Sequence, residues 1–181
     1  MTDIELLEKY KEGNTEAFHG FYTRYKDSLY TFLRNRSGDK ADDLFQDTFI
    51  KFINALSKKK IYNPKAYLFQ IAINLVRNAY RNPKHVTLDI VQEIPEKEYE
   101  DEELPVTEEE LQQSLAELAR KKPDFYDVLH LHIFEKMTFD QISDLKERNR
   151  NTVSSQYRYA IHYLRKLLKP AVNLNLKMNE V

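Results

Sequence analysis

Between residues 89 and 110 the chain carries 11 acidic side chains and a single Lys. Most of them fall in the run Glu93-Ile94-Pro95-Glu96-Lys97-Glu98-Tyr99-Glu100-Asp101-Glu102-Glu103. Such a segment repels itself and offers too little apolar area to offset the entropy lost on ordering, so it cannot be the middle of a folded core. Whatever folds must fold on either side of it. Residues 1–88 carry 15 basic and 10 acidic side chains, and residues 111–181 carry 12 and 8. The net charge of −1 therefore conceals two mildly basic units separated by a negative tether. The expected division is a first domain over 1–84, a linker over 85–106, a second domain over 107–170 and a tail over 171–181. Each unit is long enough for a small helical core. The tether first suits a plain solubilising spacer, and the sharper alternative is a segment that imitates nucleic acid in a basic channel.

The rest of the composition narrows the choices. With no Cys, disulfide scaffolds, thiolate metal sites and cysteine nucleophiles are excluded. Only Gly13, Gly20 and Gly38 occur, which disfavours glycine-rich phosphate loops and β-hairpin proteins. The opening Met1-Thr2-Asp3-Ile4-Glu5 lacks the apolar run of a signal peptide. No stretch approaches the roughly 18 apolar residues of a membrane span. The expectation is a cytoplasmic protein without membrane insertion. His130 and His132 diverge by roughly 200° on a helix and cannot simply share a metal. No nucleophile, base and orienting group assemble, so no metal, no cofactor and no enzymatic activity are expected.

Apolar spacing is helical throughout, and the predicted fold class is all-α, with two small helical domains. In the first unit, Thr2-x-x-Glu5 opens a short helix with Ile4, Leu7 and Tyr10 inward. Asn14 caps a second helix with Phe18, Phe21, Tyr25, Leu29 and Phe32 on its buried stripe. A third starts near Ala41, and a fourth opens at Asn63-Pro64, buries residues from Leu68 to Ala79 and stops before Pro83. In the second unit, Thr107-x-x-Glu110 opens a helix with Leu111, Leu115 and Leu118 inward. Pro123 opens the next, and Thr138-x-x-Gln141 caps a short one. After a polar break, Asn151 caps a long helix that Pro170 should end.

The outward faces carry the functional expectations. On the third helix Asp43, Gln46, Asp47 and Ile50 share one stripe, a docking surface or merely a solvated face. The fourth helix presents Gln70, Asn74, Arg77, Asn78 and Arg81, amides and guanidinium groups able to donate to phosphates or base edges, with Tyr67, Phe69 and Tyr80 nearby. Before it lies a basic loop holding Lys58, Lys59, Lys60, Tyr62 and Asn63. Together these suggest a surface for single-stranded nucleic acid. In the second unit, a short helix, a tight polar turn and a long helix have the form of a helix-turn-helix. Asn151, Thr152, Ser154, Ser155, Gln156 and Tyr159 lie in its first turns, with Gln156 able to pair with adenine. Arg148, Arg150 and Arg158 fit backbone phosphates. A polar αα-hairpin is the plainer alternative.

The layout resembles the sigma-70 family of bacterial RNA polymerase initiation factors, in particular the short extracytoplasmic-function (ECF) group. Ala17-Phe18-His19-Gly20-Phe21-Tyr22-Thr23-Arg24-Tyr25 looks like the opening of region 2. Ala41-Asp42-Asp43-Leu44-Phe45-Gln46-Asp47-Thr48-Phe49 is similar to its "A-E-D-L-x-Q-[DE]-x-F" signature, and Tyr67–Leu75 resembles "W-L-x-x-I-A-x-N". Thr152-Val153 matches the "T-V" of the region 4 recognition helix. The sequence departs at Tyr67, usually Trp, and at Glu147, where the turn usually has Gly. The resemblance implies that Asp43, Gln46, Asp47 and Ile50 dock on the β′ clamp helices of core RNA polymerase. It implies that the Lys58–Asn63 loop with Asn74, Arg77 and Arg81 opens the −10 element of promoter DNA. It further implies that the helix-turn-helix reads the −35 element beside the β flap, and that an anti-sigma factor clamps the two domains. The alternatives are a stand-alone helix-turn-helix regulator and a helical adaptor that binds only protein.

Overall fold

A computed structural model describes residues 1–80 and 106–178, with side chains to residue 168. Among the described residues every regular element is helical. The first lobe contains α1 (Asp3–Lys11), α2 (Thr15–Ser37), α3 (Ala41–Leu56) and α4 (Pro64–Ala79). A single 3₁₀ turn, Gly38–Lys40, joins α2 to α3, entered through Gly38 at φ +52°. The second lobe contains α5 (Glu108–Lys121), α6 (Pro123–Ile133), α7 (Phe139–Lys146) and α8 (Arg150–Met178). The expected linker 85–106 lies outside the described residues except for Val106, and so does Arg81.

The helix starts follow from capping chemistry. Thr2, Thr107 and Thr138 each form a reciprocal capping box, with Glu5, Glu110 and Gln141. Asn14 and Asn63 cap α2 and α4 through their side-chain oxygens. Three boundary expectations need correction. The long helix starts at Arg150, one residue before the expected cap: Asn149, not Asn151, supplies the acceptor, taking the Asn151 N–H at 2.8 Å. Pro170 does not end α8, which continues to Met178. A proline removes one N–H from the ladder, a local loss within a 29-residue helix. Ile4, Ala79 and Leu111, expected inside, are exposed. They lie in first or last helical turns, beyond the reach of the neighbouring helices. On α1, Leu6 and Leu7 take the inward places, and Leu6 packs over Gly20, where an added Cβ would sit 3.4 Å from it.

The first lobe has an aromatic core. Phe21 and Phe52 stack at 5.0 Å with their planes 6° apart, and Phe18, Tyr22, Phe45 and Phe49 continue the cluster. Parallel and edge-on rings of this kind add to the large area they bury. The core of the second lobe is mainly aliphatic, built from Leu115, Leu118, Val128, Leu129, Ile142, Val153, Ala160 and Leu164. His132 stacks on Phe139 at 4.5 Å and meets Tyr157 edge-on.

The two lobes pack against each other: α2 rests on α5 and α4 on α7. Phe32 of α2 stacks on Tyr126 of α6 at 5.8 Å and meets Phe69 of α4 edge-on at 5.8 Å. His130 fills the corner, 5.1 Å from Phe32 and 5.9 Å from Phe69. Polar groups close the rim of this contact. Asn35 donates to the Tyr126 hydroxyl at 2.9 Å, and Ser28 donates to Glu135. Burial pushes the Tyr126 phenol well above its ordinary value, so the hydroxyl keeps its proton and lies 3.3 Å from His130 Nδ1.

Candidate nucleic-acid and protein interfaces

On α3, helical periodicity sorts the side chains cleanly. Leu44, Thr48, Phe49 and Phe52 point into the aromatic core, with the Thr48 hydroxyl donating to the Leu44 carbonyl at 2.6 Å. The opposite stripe, Asp43, Gln46, Asp47 and Ile50, is exposed. Ile50 is 55% exposed, unusual for a large aliphatic residue in the middle of a helix. An apolar side chain ringed by acids and an amide, on a helix, has the make-up of a protein-docking surface. Asp42, next to the stripe, accepts from Tyr30 at 2.9 Å.

The basic loop and α4 form a second surface. Lys58, Lys59 and Lys60 are exposed, and Tyr62 is 77% exposed. Lys59 lies over the Tyr67 ring at 4.1 Å and Lys60 over Tyr62 at 5.4 Å. The Asn63 oxygen is committed to the α4 cap, leaving its NH₂ as the free donor. A cleft of about 340 Å³ runs from this loop past Gln70 to Gln141, Asp144 and Leu145 of α7. Asn74, Arg77 and Asn78 stand exposed along α4. Two of the three aromatics expected to serve stacking do other work. Phe69 is fully buried between the lobes, and the Tyr80 hydroxyl donates to the Ser37 carbonyl at 3.0 Å with Lys40 over its ring.

The helix-turn-helix consists of α7, the turn 147–149 and the start of α8. Glu147 ends α7 in the left-handed conformation, φ 53° and ψ 45°. The Arg148 N–H then donates to Ser143 O at 3.1 Å, and the Ser143 hydroxyl donates to Arg148 O at 2.5 Å. These bonds close the turn that gives α8 its direction. Arg148, Arg150, Asn151, Thr152 and Arg158 are exposed, and Ser154 and Ser155 half-buried. Arg150 pairs with Asp140 at 2.9 Å in solvent, a contact worth little and easily exchanged for phosphate. Tyr159 is half-buried, with one face of its ring stacked on Phe125 at 5.5 Å.

Gln156 departs from the expectation that it projects outward. It is 6% exposed, and its Oε1 has no hydrogen-bond partner. The cause is register: Val153, Gln156, Ala160 and Leu164 follow one another at steps of three and four, which is the buried stripe of α8. The spacing was visible in the sequence, and the residue's polarity hid it. Sequence reading also missed the charges buried at the foot of α6. Asp127 is fully buried between Arg36 of α2 and Lys146 of α7, at 2.7 and 3.1 Å. The available signal was apolar residues on more than one face of α4, with Phe69 and Ile73 buried beside the Leu68, Ala72 and Val76 stripe. Burial on two faces requires two neighbours.

These features define a class: a two-lobed protein, helical throughout its described residues, whose second lobe ends in a helix-turn-helix. Residues 21–86 match the sigma-70 region 2 family. The chain is 29% identical over 85 residues to the ECF RNA polymerase sigma factor BldN of Streptomyces coelicolor. That match covers 45% of this chain, and the chain spans about a third of that relative's length, 32%. In fold it is similar to CnrH in complex with the cytosolic domain of CnrY, with a TM-score of 0.61 and 20% identity over 93% of this chain and 97% of that one. It is also similar to the sigma factor RpoE in complex with the anti-sigma factor NepR from Bartonella quintana, with a TM-score of 0.64 and 21% identity over 86% of this chain and 98% of that one. The first lobe thus matches sigma-70 region 2, and over most of its length the chain is similar in fold to a known sigma factor. None of its described helices is long and apolar enough to cross a membrane.

Proposed function

We propose that this chain is a promoter-specificity factor: it binds core RNA polymerase in the cytoplasm and directs promoter recognition, DNA opening and the start of transcription. The observation that carries the reading is the pair of exposed stripes on the lobe that matches sigma region 2. Asp43, Gln46, Asp47 and Ile50 dock on the β′ clamp helices. Asn74, Arg77 and Gln70, with the Lys58–Asn63 loop, receive the non-template strand of the −10 element. Extruding a base costs a few kcal/mol, comparable with stacking on Tyr62 plus contacts from the three lysines. Arg148, Arg150, Thr152, Ser155 and Arg158 take the −35 element, with Asn151 and Ser154 at their margin, and the second lobe touches the β flap. Gln156 has no part in this reading. The chain acts by binding, with no catalytic step of its own. An anti-sigma protein, of the kind in complex with RpoE, is a further proposed partner.

Run-off transcription tests the proposal. Core enzyme from the same organism, supplied with fragmented genomic DNA, should yield defined new start sites only when the chain is added. Start sites that do not depend on the chain, or persist with Ile50→Glu and Asp47→Lys together, would contradict it.

A further inference from the structure

The cleft of about 340 Å³ beside the basic loop has two walls of different origin. Lys59, Lys60, Tyr62, Tyr67 and Gln70 form the first, and Gln141, Asp144 and Leu145 of α7 form the second. The α7 wall belongs to neither of the promoter surfaces proposed above, and its carboxylate would repel a phosphodiester. The first wall is cationic and aromatic: both lysines are exposed, and Tyr62 is 77% exposed. Helix capping turns two of the lining amides into donors. Asn63 Oδ1 takes the Ala66 N–H at 3.1 Å and Gln141 Oε1 takes the Thr138 N–H at 3.0 Å, so each keeps only its NH₂ to offer. Among the described lining residues Asp144 brings the single carboxylate, and it is exposed. No ion pair or side-chain hydrogen bond engages that carboxylate among the described residues.

These groups specify a ligand in three parts. Adjacent lysines and amide donors call for an anion. The Tyr62 and Tyr67 rings call for a flat ring that can stack. Asp144 offers two acceptor oxygens and no donor, so it calls for two neighbouring N–H groups. A nucleotide carries the anion and the ring, and the third condition selects the base. On its pairing edge guanine presents N1–H and the N2 amino group side by side, whereas the other bases place an acceptor beside each donor. We propose that this cleft binds a free guanine nucleotide, with its phosphates on Lys59 and Lys60, its base on Tyr62, and its N1–H and N2 amino group on Asp144. Clefts for small ligands run from roughly 300 to 1,000 Å³, so this one takes base and ribose and leaves the phosphates at the exposed lysines. Such binding needs neither polymerase nor DNA, and the site goes beyond the promoter reading without resting on it.

Fluorescence anisotropy of GDP carrying an N-methylanthraniloyl group on its ribose, titrated with the full chain, tests the assignment. The signal should saturate, and unlabelled GDP should reverse it. Inosine diphosphate, which lacks only the N2 amino group, should compete on the order of tenfold less well, the loss of one hydrogen bond to a charged group. ADP should compete more weakly still. Asp144→Asn should weaken GDP on the order of tenfold and bring it level with inosine diphosphate. The same variant should gain affinity for xanthosine diphosphate, whose C2 carbonyl meets the new amide NH₂, a gain that a folding defect cannot produce. Lys59→Gln with Lys60→Gln should weaken GDP and flatten the salt dependence of its binding. No saturable binding, equal competition by ADP, or discrimination against inosine diphosphate that survives in Asp144→Asn overturns the proposal. So does a single-stranded oligonucleotide that binds where GDP does not, which returns the loop to the promoter strand alone.

Discussion

The two lobes solve the same problem, a small all-helical core, with different chemistry. The first relies on stacked rings and keeps charged residues out of its core: α3 is buried on its inner face and bare on its outer one, and α4 buries Phe69 against the second lobe as well. The second accepts Asp127, Glu135, Lys146, His130 and Gln156 into buried positions. Buried charges persist only when paired, and here two partners come from the first lobe, Arg36 on Asp127 and Ser28 on Glu135, while Lys65 donates to the Glu135 main-chain carbonyl. The second lobe therefore carries charged groups whose satisfaction depends on how the lobes stand, whereas the first brings mainly the rings of Phe32 and Phe69 to the same contact.

Substitutions break or sharpen this contrast. Phe52→Ala removes one ring of the Phe21 stack and should cost about 3–5 kcal/mol in urea unfolding, all of it within the first lobe. Asp127→Ala takes the carboxylate from the largely buried Arg36 and leaves the buried Lys146 with Asp124 alone, and should cost a comparable amount, about 3–5 kcal/mol, but within the second lobe and the contact between lobes. Hydrogen exchange resolved by helix separates the two: protection should fall in α3 and α4 for the first, and in α6 and α7 for the second. Gln156→Met places an apolar side chain of similar length where an acceptor has no partner, and should raise stability by about 1 kcal/mol. Run-off transcription should be unchanged by it. Loss of −35 dependence instead would restore Gln156 as a reader. Glu147→Gly relieves a side chain held at φ 53° and should stabilise by about 0.5–1 kcal/mol in a thermal melt.

The smallest effect is the pH dependence of Asp124. Its folded carboxyl sits below the ordinary 3.8, so its contribution is fully present above that value and is lost as pH falls through the lower, folded one. The stability difference between the parent and Asp124→Asn should be flat from about pH 5 to pH 8 and shrink only in stronger acid. A slope near neutrality would mean that a group other than Asp124 governs the difference.

The first lobe was legible in the sequence because each helix there divides into an apolar and a polar face at fixed spacing. Asn14, Asn63 and the three threonine capping boxes marked the starts, and the α3 stripe could be read residue by residue. The second lobe was legible in its helices and less so in its surface. Gln156 carries a polar label on a buried stripe, and Tyr159 lies against Phe125, so two of the expected readers are wholly or partly withdrawn. The packing of lobe on lobe left only an indirect trace, the second buried face of α4. Pairing of Arg36 with Asp127 across 91 residues leaves no periodic signal. The acidic tether and Arg81 lie outside the described residues, so their expected roles rest on the sequence.

A gel shift on a promoter fragment, run with chain alone, core enzyme alone and both together, tests the account most directly. The account predicts a stable, salt-sensitive complex at that fragment only when both are present, lost when Asp43, Gln46, Asp47 and Ile50 are changed together. Tight binding of the duplex by the chain alone, unaltered by core enzyme, would contradict it.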